Sequence, residues 1–504
     1  MRSKSSKVRT VLAAALAGML LAAVDVGGSA PAAAQFRMGG FGHTGGLAGR
    51  GAGFGRAGGP ALARSRGRIV ERAHGMGRRP PRFGRSGIWA RHRVVRIETD
   101  RERPALVAGR SGVGGGPAGF GGGALPRGEA RYVPDQVIVQ FATSASPAAI
   151  GRLARRFDLT ELEARDFRLI GRTLSLWRIG GGRSVMSMVG SLQYQTIIAR
   201  VEPNYIFALQ GQTAAVHAHG DPAQYVLSKL QVEEAQRIAT GANVMVAVID
   251  TGIDARHPDL GGSIVRNFDA LSGNDAPQLH GTEMAGAIAS HGRLLGIAPG
   301  VELLAACAFD GRSGGTSFAI YKSLQWAADN GARVINMSFA GPPDPTLRRM
   351  LAAAAGKNIV LVAAAGNAGS NSPPLYPAAD ANVIAVTATD AEDRVFAMAN
   401  RGSYIAIAAP GVDVLALAPS DAYQITTGTS VAAAHVSGIA ALLLQHDPSL
   451  TPADIRRILI DTAKPIGASG AEAGPVPGLV DAYRALTASL KTTGTEAARE
   501  QAGQ

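Results

Sequence analysis

Three short runs hold residue types that can do covalent chemistry together. Asp250 closes the apolar run Val248-Ile249-Asp250 and leads into Thr251-Gly252. His280 opens His280-Gly281-Thr282-Glu283, and Ser430 lies in Gly428-Thr429-Ser430-Val431-Ala432. A serine hydroxyl is a weak nucleophile until a base takes its proton, and an imidazole base needs an anion to hold its ring and tautomer. One Asp, one His and one Ser meet that need. Asn367, in Ala364-Ala365-Gly366-Asn367, adds an amide able to donate to a developing oxyanion, with the Ser430 backbone N–H as second donor. Each run alone is a weak signal, because Gly-Asn also makes turns and Thr and Ser also cap helices. Asp-Thr-Gly also serves carboxylate dyads, but a second Asp-Thr-Gly or Asp-Ser-Gly would be needed, and the sequence has neither.

The elements that must position these residues are legible as continuous apolar runs at 244–249, 301–309, 334–337, 359–363, 383–386 and 405–408. Runs without polar alternation imply burial on both faces, hence a parallel sheet covered by helices. In such sheets the chemistry sits beyond the carboxyl ends of the strands, where Asp250 falls, while His280 and Ser430 are expected at helix starts. Cys307, the only cysteine, excludes an intrachain disulfide and reads as a small core residue of the second strand. Ahead of this region, residues 132–209 read as strand, helix, strand, helix, strand, a small α+β unit. Its strands are expected at 137–141, 174–179 and 201–207, with helices from Pro147 towards Phe157 and over 184–195. A polar Ala/His/Gly run at 211–220 is expected to be a linker, and the polar tail 491–504 is expected to fray.

The front of the chain is different in kind. Arg2, Lys4, Lys7 and Arg9 precede an apolar run, Val11 to Val24, and a small-residue stretch ending Ala32-Ala33-Ala34. That order predicts a signal peptide over 1–34 and an exported, periplasmic or extracellular protein. The run is shorter than the roughly 20 residues that span a bilayer. Residues 36–130 hold 18 Arg and no Lys against 5 acids, which accounts for all of the net charge of +13. With 35–130 also rich in Gly and Pro, this segment is expected to be a disordered cationic arm, a solvated spacer in the first instance. An anionic cell-surface partner is the next choice, and nucleic acid is unlikely because export removes it.

With the motifs in chain order Asp250, His280, Ser430 and Asn367 between the last two, residues 221–490 resemble a subtilisin-like serine protease (subtilase). The resemblance implies a doubly wound, mostly parallel sheet with helices on both faces, and hydrolysis of peptide or protein substrates through an acyl-enzyme with no cofactor required. It also implies that Ser338, Phe339, Ala340 and Gly341 pair with substrate residues before the scissile bond, and that Ala364, Ala365 and Gly366 help wall the pocket next to it. Glu283 stands where the family often has His, and Ala434 where it usually has Pro; His435 matches a structural position. Glu283, one helical turn from His280, is expected to bias that base electrostatically. Phe339 and Ala340 replace the commoner Leu and Gly, which leaves pocket depth open.

Residues 131–210 resemble the ferredoxin-like propeptide that precedes many subtilases, implying an intramolecular inhibitor removed by cleavage between Gln210 and Gln224. Calcium stabilises many relatives, but Asp254, Asp259 and Asp269 match no Ca²⁺ loop and read as surface acids. The competing function is a catalytically silent binding protein on the same scaffold, anchored by the Arg-rich arm. An exopeptidase would need an insertion closing the cleft. Retention of Asp250, His280 and Ser430 favours the enzyme.

Overall fold

The computed structural model describes residues 131–214, 224–273, 276–311, 314–467 and 477–489, all within one compact unit spanning Thr99–Gln504. The expected signal peptide, the Arg-rich arm, most of the expected linker and the C-terminal tail lie outside the described residues.

The small unit has six elements rather than five. They are β1 (Tyr132–Phe141), α1 (Pro147–Phe157), β2 (Leu159–Phe167), β3 (Arg172–Ile179), α2 (Val185–Leu192) and β4 (Ile198–Leu209). Ser146 caps α1 by accepting the Ala149 N–H, with Pro147 in the first turn, and the helix stops at Asp158 in the left-handed region. β2 escapes a sequence reading because Glu161, Glu163, Arg165 and Asp166 interrupt its apolar pattern and a bulge at Leu162 shifts its register. It is an edge strand, where charge blunts unwanted pairing. The antiparallel order β4-β1-β3-β2 is ferredoxin-like.

A three-residue strand, β5 (Gln212–Ala214), follows, then two short helices, α3 (Tyr225–Lys229) and α4 (Val232–Gln236). The large unit then alternates β6 (Met245–Asp250), β7 (Ile264–Asp269), α5 (Leu279–Ala289), β8 (Glu302–Cys307), β9 (Gly315–Thr316), α6 (Ser317–Asp329), β10 (Val334–Met337), β11 (Phe339–Ala340) and α7 (Pro345–Ala355). It continues with β12 (Val360–Ala364), β13 (Val383–Thr389), β14 (Ile405–Pro410), the hairpin β15 (Val414–Ala418) and β16 (Ala422–Thr427), α8 (Thr429–His446) and α9 (Pro452–Asp461). Seven strands form one parallel sheet in the order β14-β13-β12-β10-β6-β8-β7. Most of their residues are buried, as the continuous apolar runs require, and Cys307 is among them at the end of β8.

The chain leaves β6 for β8 and β7 on one side and later returns to β10 on the other, so the order reverses beside β6. Such a reversal opens a crevice at the carboxyl ends of the two strands. Asp250 is the last residue of β6, and Ser338 follows the last residue of β10. α8 is buried all round from Thr429 to Leu444, which explains its apolar character on every face.

Both units share one core face. Ile138, Phe167, Leu169, Leu174 and Phe207 of the small unit pack in the same cluster as Phe318, Tyr321, Phe339 and Leu347 of the large one. Phe167 sits edge-on to Phe318 and Tyr321. Full burial of such a side chain is worth about 1.5–3 kcal/mol, shared here between the folding of each unit and their docking. Asn204 Oδ1 accepts the Phe318 N–H at 3.2 Å, so β4 satisfies a donor in the first turn of α6 that the helix itself leaves free.

Candidate active site

His280 is the second residue of α5 and Ser430 the second residue of α8, so two helix N-termini and one strand end converge. His280 Nδ1 lies 2.7 Å from Asp250 Oδ1, and His280 Nε2 lies 3.1 Å from Ser430 Oγ. Asp250 is fully buried and its Oδ1 also accepts the Thr251 N–H at 2.7 Å, which fixes the carboxylate plane. Ser430 Oγ lies 3.1 Å from the Ser338 carbonyl as well. The single hydroxyl proton therefore has two acceptors, and rotation about Cβ–Oγ turns it towards the imidazole.

Burial pulls the His280 pKa down, but the Asp250 charge, the bond to Asp250 and the Glu283 charge together leave it above its ordinary value. Glu283 is itself buried, and burial pushes its carboxyl up to about 7 against the opposing pull of His280 and of Gln424, whose Nε2 donates to it at 2.6 Å. The side chain expected to face the base thus also ties α5 to β16. His435 is buried and its Nδ1–H donates to the Pro410 carbonyl at 3.0 Å; burial lowers its pKa to about 4, so it stays neutral.

Asn367 is held from behind, its Oδ1 accepting both the Thr429 N–H at 3.1 Å and the Thr429 hydroxyl at 2.9 Å. That aims its Nδ2 at the carbonyl oxygen of Gln210, 2.8 Å away, while the Ser430 N–H reaches the same oxygen at 3.3 Å. Room for this oxygen depends on Gly428, where an added Cβ would stand 2.5 Å from it. Two N–H donors on one carbonyl, one of them at the positive end of an 18-residue helix, form an anion-stabilising pocket.

Of the residues expected to hold substrate, Phe339 and Ala340 pair antiparallel with Leu209 and Ala208, and the Ser338 carbonyl accepts the Gln210 N–H at 3.1 Å. Gly341 lies against the Phe207 ring. Ala365 and Gly366 direct polar groups elsewhere: the Ala365 carbonyl accepts from Asn400 Nδ2, and the Gly366 N–H donates to Thr429 Oγ1. Ala364 closes β12, paired with Val386. In the sequence Thr429 reads only as a helix cap, and nothing around it marks it as the support for Asn367. Gln210 is legible in the sequence only as the near bound of the expected cleavage region.

Two expectations change. Asp254 and Asp259 are not surface acids but are 6% and 2% exposed. Asp254 accepts the Ser420 and Arg256 N–H groups, and Asp259 accepts the Arg293 and Leu294 N–H groups, so both pin loops. Gln212–Ala214, at the start of the expected linker, is a strand paired with β16. Among the described residues no group of three or more His, Cys, Asp or Glu is placed to hold a metal ion, and no helix is long and apolar enough to cross a membrane.

The Subtilase family model matches residues 241–496, half of the chain, and the Fervidolysin N-terminal prodomain model matches 122–204. The chain belongs to the subtilase family. It is therefore a subtilisin-like serine peptidase carrying a prodomain. The thermophilic serine proteinase of Bacillus sp. (strain AK1) is 32% identical over 365 residues, covering 71% of this chain and 88% of that protein. Thermitase of Thermoactinomyces vulgaris is 36% identical over 271 residues, 52% of this chain and 95% of that protein. The crystal structure of fervidolysin from Fervidobacterium pennivorans, a keratinolytic enzyme related to subtilisin, superposes with a TM-score of 0.61. That match is 24% identical and covers 72% of this chain but 62% of fervidolysin, so it supports the subtilase fold alone.

One further contact joins prodomain and subtilase domain. Tyr321 donates its one proton to Asp344, whose two oxygens both lie at 2.6 Å, and Glu202 Oε1 of β4 lies 3.2 Å from the same hydroxyl. With that proton committed to Asp344, the Glu202 contact is a hydrogen bond only when Glu202 is protonated and donates. Burial, and then the Asp344 charge, push Glu202 up to about 7 from 4.5; a bond from Thr346 and the Arg200 charge pull the other way. Tyr205 and Arg349 are the remaining titratable groups around this carboxyl pair.

Proposed function

We propose that the protein is an exported serine endopeptidase, made as a zymogen, in which Ser430 is the nucleophile, His280 the base, Asp250 its orienting anion and Asn367 the side-chain oxyanion donor. The observation that carries this reading is a peptide carbonyl lying between Asn367 Nδ2 and the Ser430 N–H beside a serine bonded to an imidazole. Ser430 Oγ attacks such a carbonyl carbon as its proton passes to His280 Nε2. Negative charge develops on the oxygen held by Asn367 and Ser430 N–H, and Asp250 stabilises the imidazolium. His280 then returns the proton to the leaving amine, the C–N bond breaks, and water repeats the sequence to release the acid. Export is supported by the basic, apolar and small-residue order of the N-terminus.

The test is to express the parent chain and Ser430→Ala side by side and compare masses. The parent is expected to be cut after the prodomain and Ser430→Ala to stay whole. Two whole chains, with no hydrolysis of an unfolded protein by the parent, would end this reading.

Asn367→Ala is expected to lower kcat by about 10²–10³ with little change in KM, because the donor gains strength only as the oxygen becomes charged. A loss confined to KM would instead make Asn367 a ground-state binding residue.

Prodomain retention should depend on pH through Glu202. Docked, Glu202 is held up at about 7 against its ordinary 4.5, so docking of a prodomain whose Glu202 is solvated takes up a proton and is tightest below pH 4.5. That advantage is lost as pH rises to about 7 and changes no further above it. The dissociation constant of the cut prodomain is expected to rise by about two orders of magnitude across this window. Size-exclusion of the cut complex, with its serine blocked by a sulfonyl fluoride, reads this without relying on catalysis. Glu202→Gln should flatten the profile, and an equally steep profile would remove Glu202 as the cause.

A further inference from the structure

We infer that the bond this enzyme cuts first in its own chain is Gln210–Gly211, and that the segment around it states the enzyme's preference: an aromatic residue four places before the bond, Gln immediately before it and Gly immediately after. This rests on the protease reading above and adds the bond and its recognition.

The peptide is held on both sides. Before the bond, β4 pairs with β11 and, through Ile206 and Phe207, with β9, so it lies between two strands of the large unit. After it, Gln212, Thr213 and Ala214 pair with Thr427, Thr426 and Ile425 of β16. Between these two stretches the Gln210 carbonyl occupies the donor pair of Asn367 and Ser430. Backbone pairing of this kind sets register without regard to side chains. A slip of one residue would remove the carbonyl from the donors and turn each side chain to the opposite face.

Side chains then discriminate. Gln210 is 4% exposed, and its amide is used at both ends. Oε1 accepts the Asn367 N–H at 2.9 Å, and Nε2 donates to the Ala208 carbonyl at 3.0 Å. A leucine would leave the buried Asn367 N–H unpaired, and a glutamate would set an anion against the Ala208 carbonyl. Sites that hydrogen-bond a substrate group reject analogues lacking it more strongly than apolar pockets reject a missing methylene. At Gly211 an added Cβ would stand 2.8 Å from His280 Cδ2 and 3.1 Å from Nε2, so a side chain there displaces the base. Phe207 is fully buried, edge-on to Phe339, whose ring also packs on Phe309. Gly341 leaves the space this ring fills, since a Cβ there would stand 2.3 Å from it. The Phe339 substitution whose effect on pocket depth was open thus supplies an aromatic wall.

In the step itself an ester forms between the Gln210 carbonyl carbon and Ser430 Oγ while the bond to Gly211 N breaks. The serine proton, carried by His280, ends on the Gly211 amine. Water then returns Ser430 and leaves a Gln210 carboxylate.

The experiment follows the parent chain by intact mass from the earliest time points of processing. The first N-terminal fragment is expected to end at Gln210 and its partner to begin at Gly211. A different first bond, with an unfolded protein still hydrolysed, overturns this assignment and leaves the protease reading standing; no hydrolysis at all overturns both. Peptides of residues 207–213 offered to the released enzyme test recognition independently of folding. The parent peptide should be cut between Gln and Gly, with kcat/KM at least about tenfold above versions carrying Glu or Leu for Gln210, or Val for Gly211. Equal rates would overturn the stated preference.

Discussion

Ser430→Ala, measured on chain cut in trans by immobilised parent enzyme, is expected to lower kcat by about six orders of magnitude, the size of effect known for subtilisin. The hydroxyl lies beside a carbonyl held by Asn367 Nδ2 and Ser430 N–H, and its imidazole partner stands 3.1 Å away. Without it, His280 has no serine proton to accept. His280→Ala placed on top of Ser430→Ala should therefore change kcat by less than about tenfold, since the two residues act as a unit. Residual catalysis of about 10³–10⁴ over water should survive, because the donor pair and the strand-forming cleft remain. Additive losses from the two substitutions would show that they serve separate steps.

Asp250→Asn is expected to cost about 10⁴ in kcat with the fold intact. Asp250 Oδ1 accepts from both Thr251 N–H and His280 Nδ1 at 2.7 Å. Because that one oxygen serves both contacts, an amide that keeps its oxygen there loses only the charge, whereas one that turns its NH₂ there faces Nδ1 and drives the imidazole proton to Nε2. The ring then presents a donor to Ser430, where a base is required. A second readout follows from charge. Asp250 is the largest influence holding His280 above its ordinary value against burial. Its removal should move the acidic limb of the kcat profile to lower pH, because the imidazolium loses its partner. An unmoved limb, or a loss under tenfold, would mean Asp250 neither orients nor charges the base.

The parts of this site that could be read from sequence are those made by local rules. Asp250 terminates an apolar run, and His280 and Ser430 each begin a helix, so residue type and element boundary coincide. Long buried strands announce themselves because a parallel sheet requires apolar residues on both faces. β2 failed that test since an edge strand tolerates Glu161, Glu163 and Arg165. Asp254 and Asp259 look like surface acids in the sequence for a related reason. An isolated Asp looks solvated until loops distant in sequence bring N–H groups to it, here from Ser420, Arg293 and Leu294.

Sequence alone determined the class of chemistry, the parallel sheet and the presence of a small α+β unit ahead of it, and it picked out Asp250, His280 and Ser430 as the proposed triad. Tertiary structure decided what lies in the cleft. Gln210 carries no motif, and the run after it reads as a linker because it is polar and rich in small residues. Its position depends on backbone pairing with β11 and β16, one of them more than two hundred residues downstream. Backbone hydrogen bonds are nearly indifferent to side-chain identity, so the strand that enters the cleft leaves little trace in composition. The same holds for Glu202 and Asp344, two ordinary acids in the sequence. Only when docking buries Glu202 beside Asp344 and its phenolic proton does this carboxyl pair become a term in prodomain affinity.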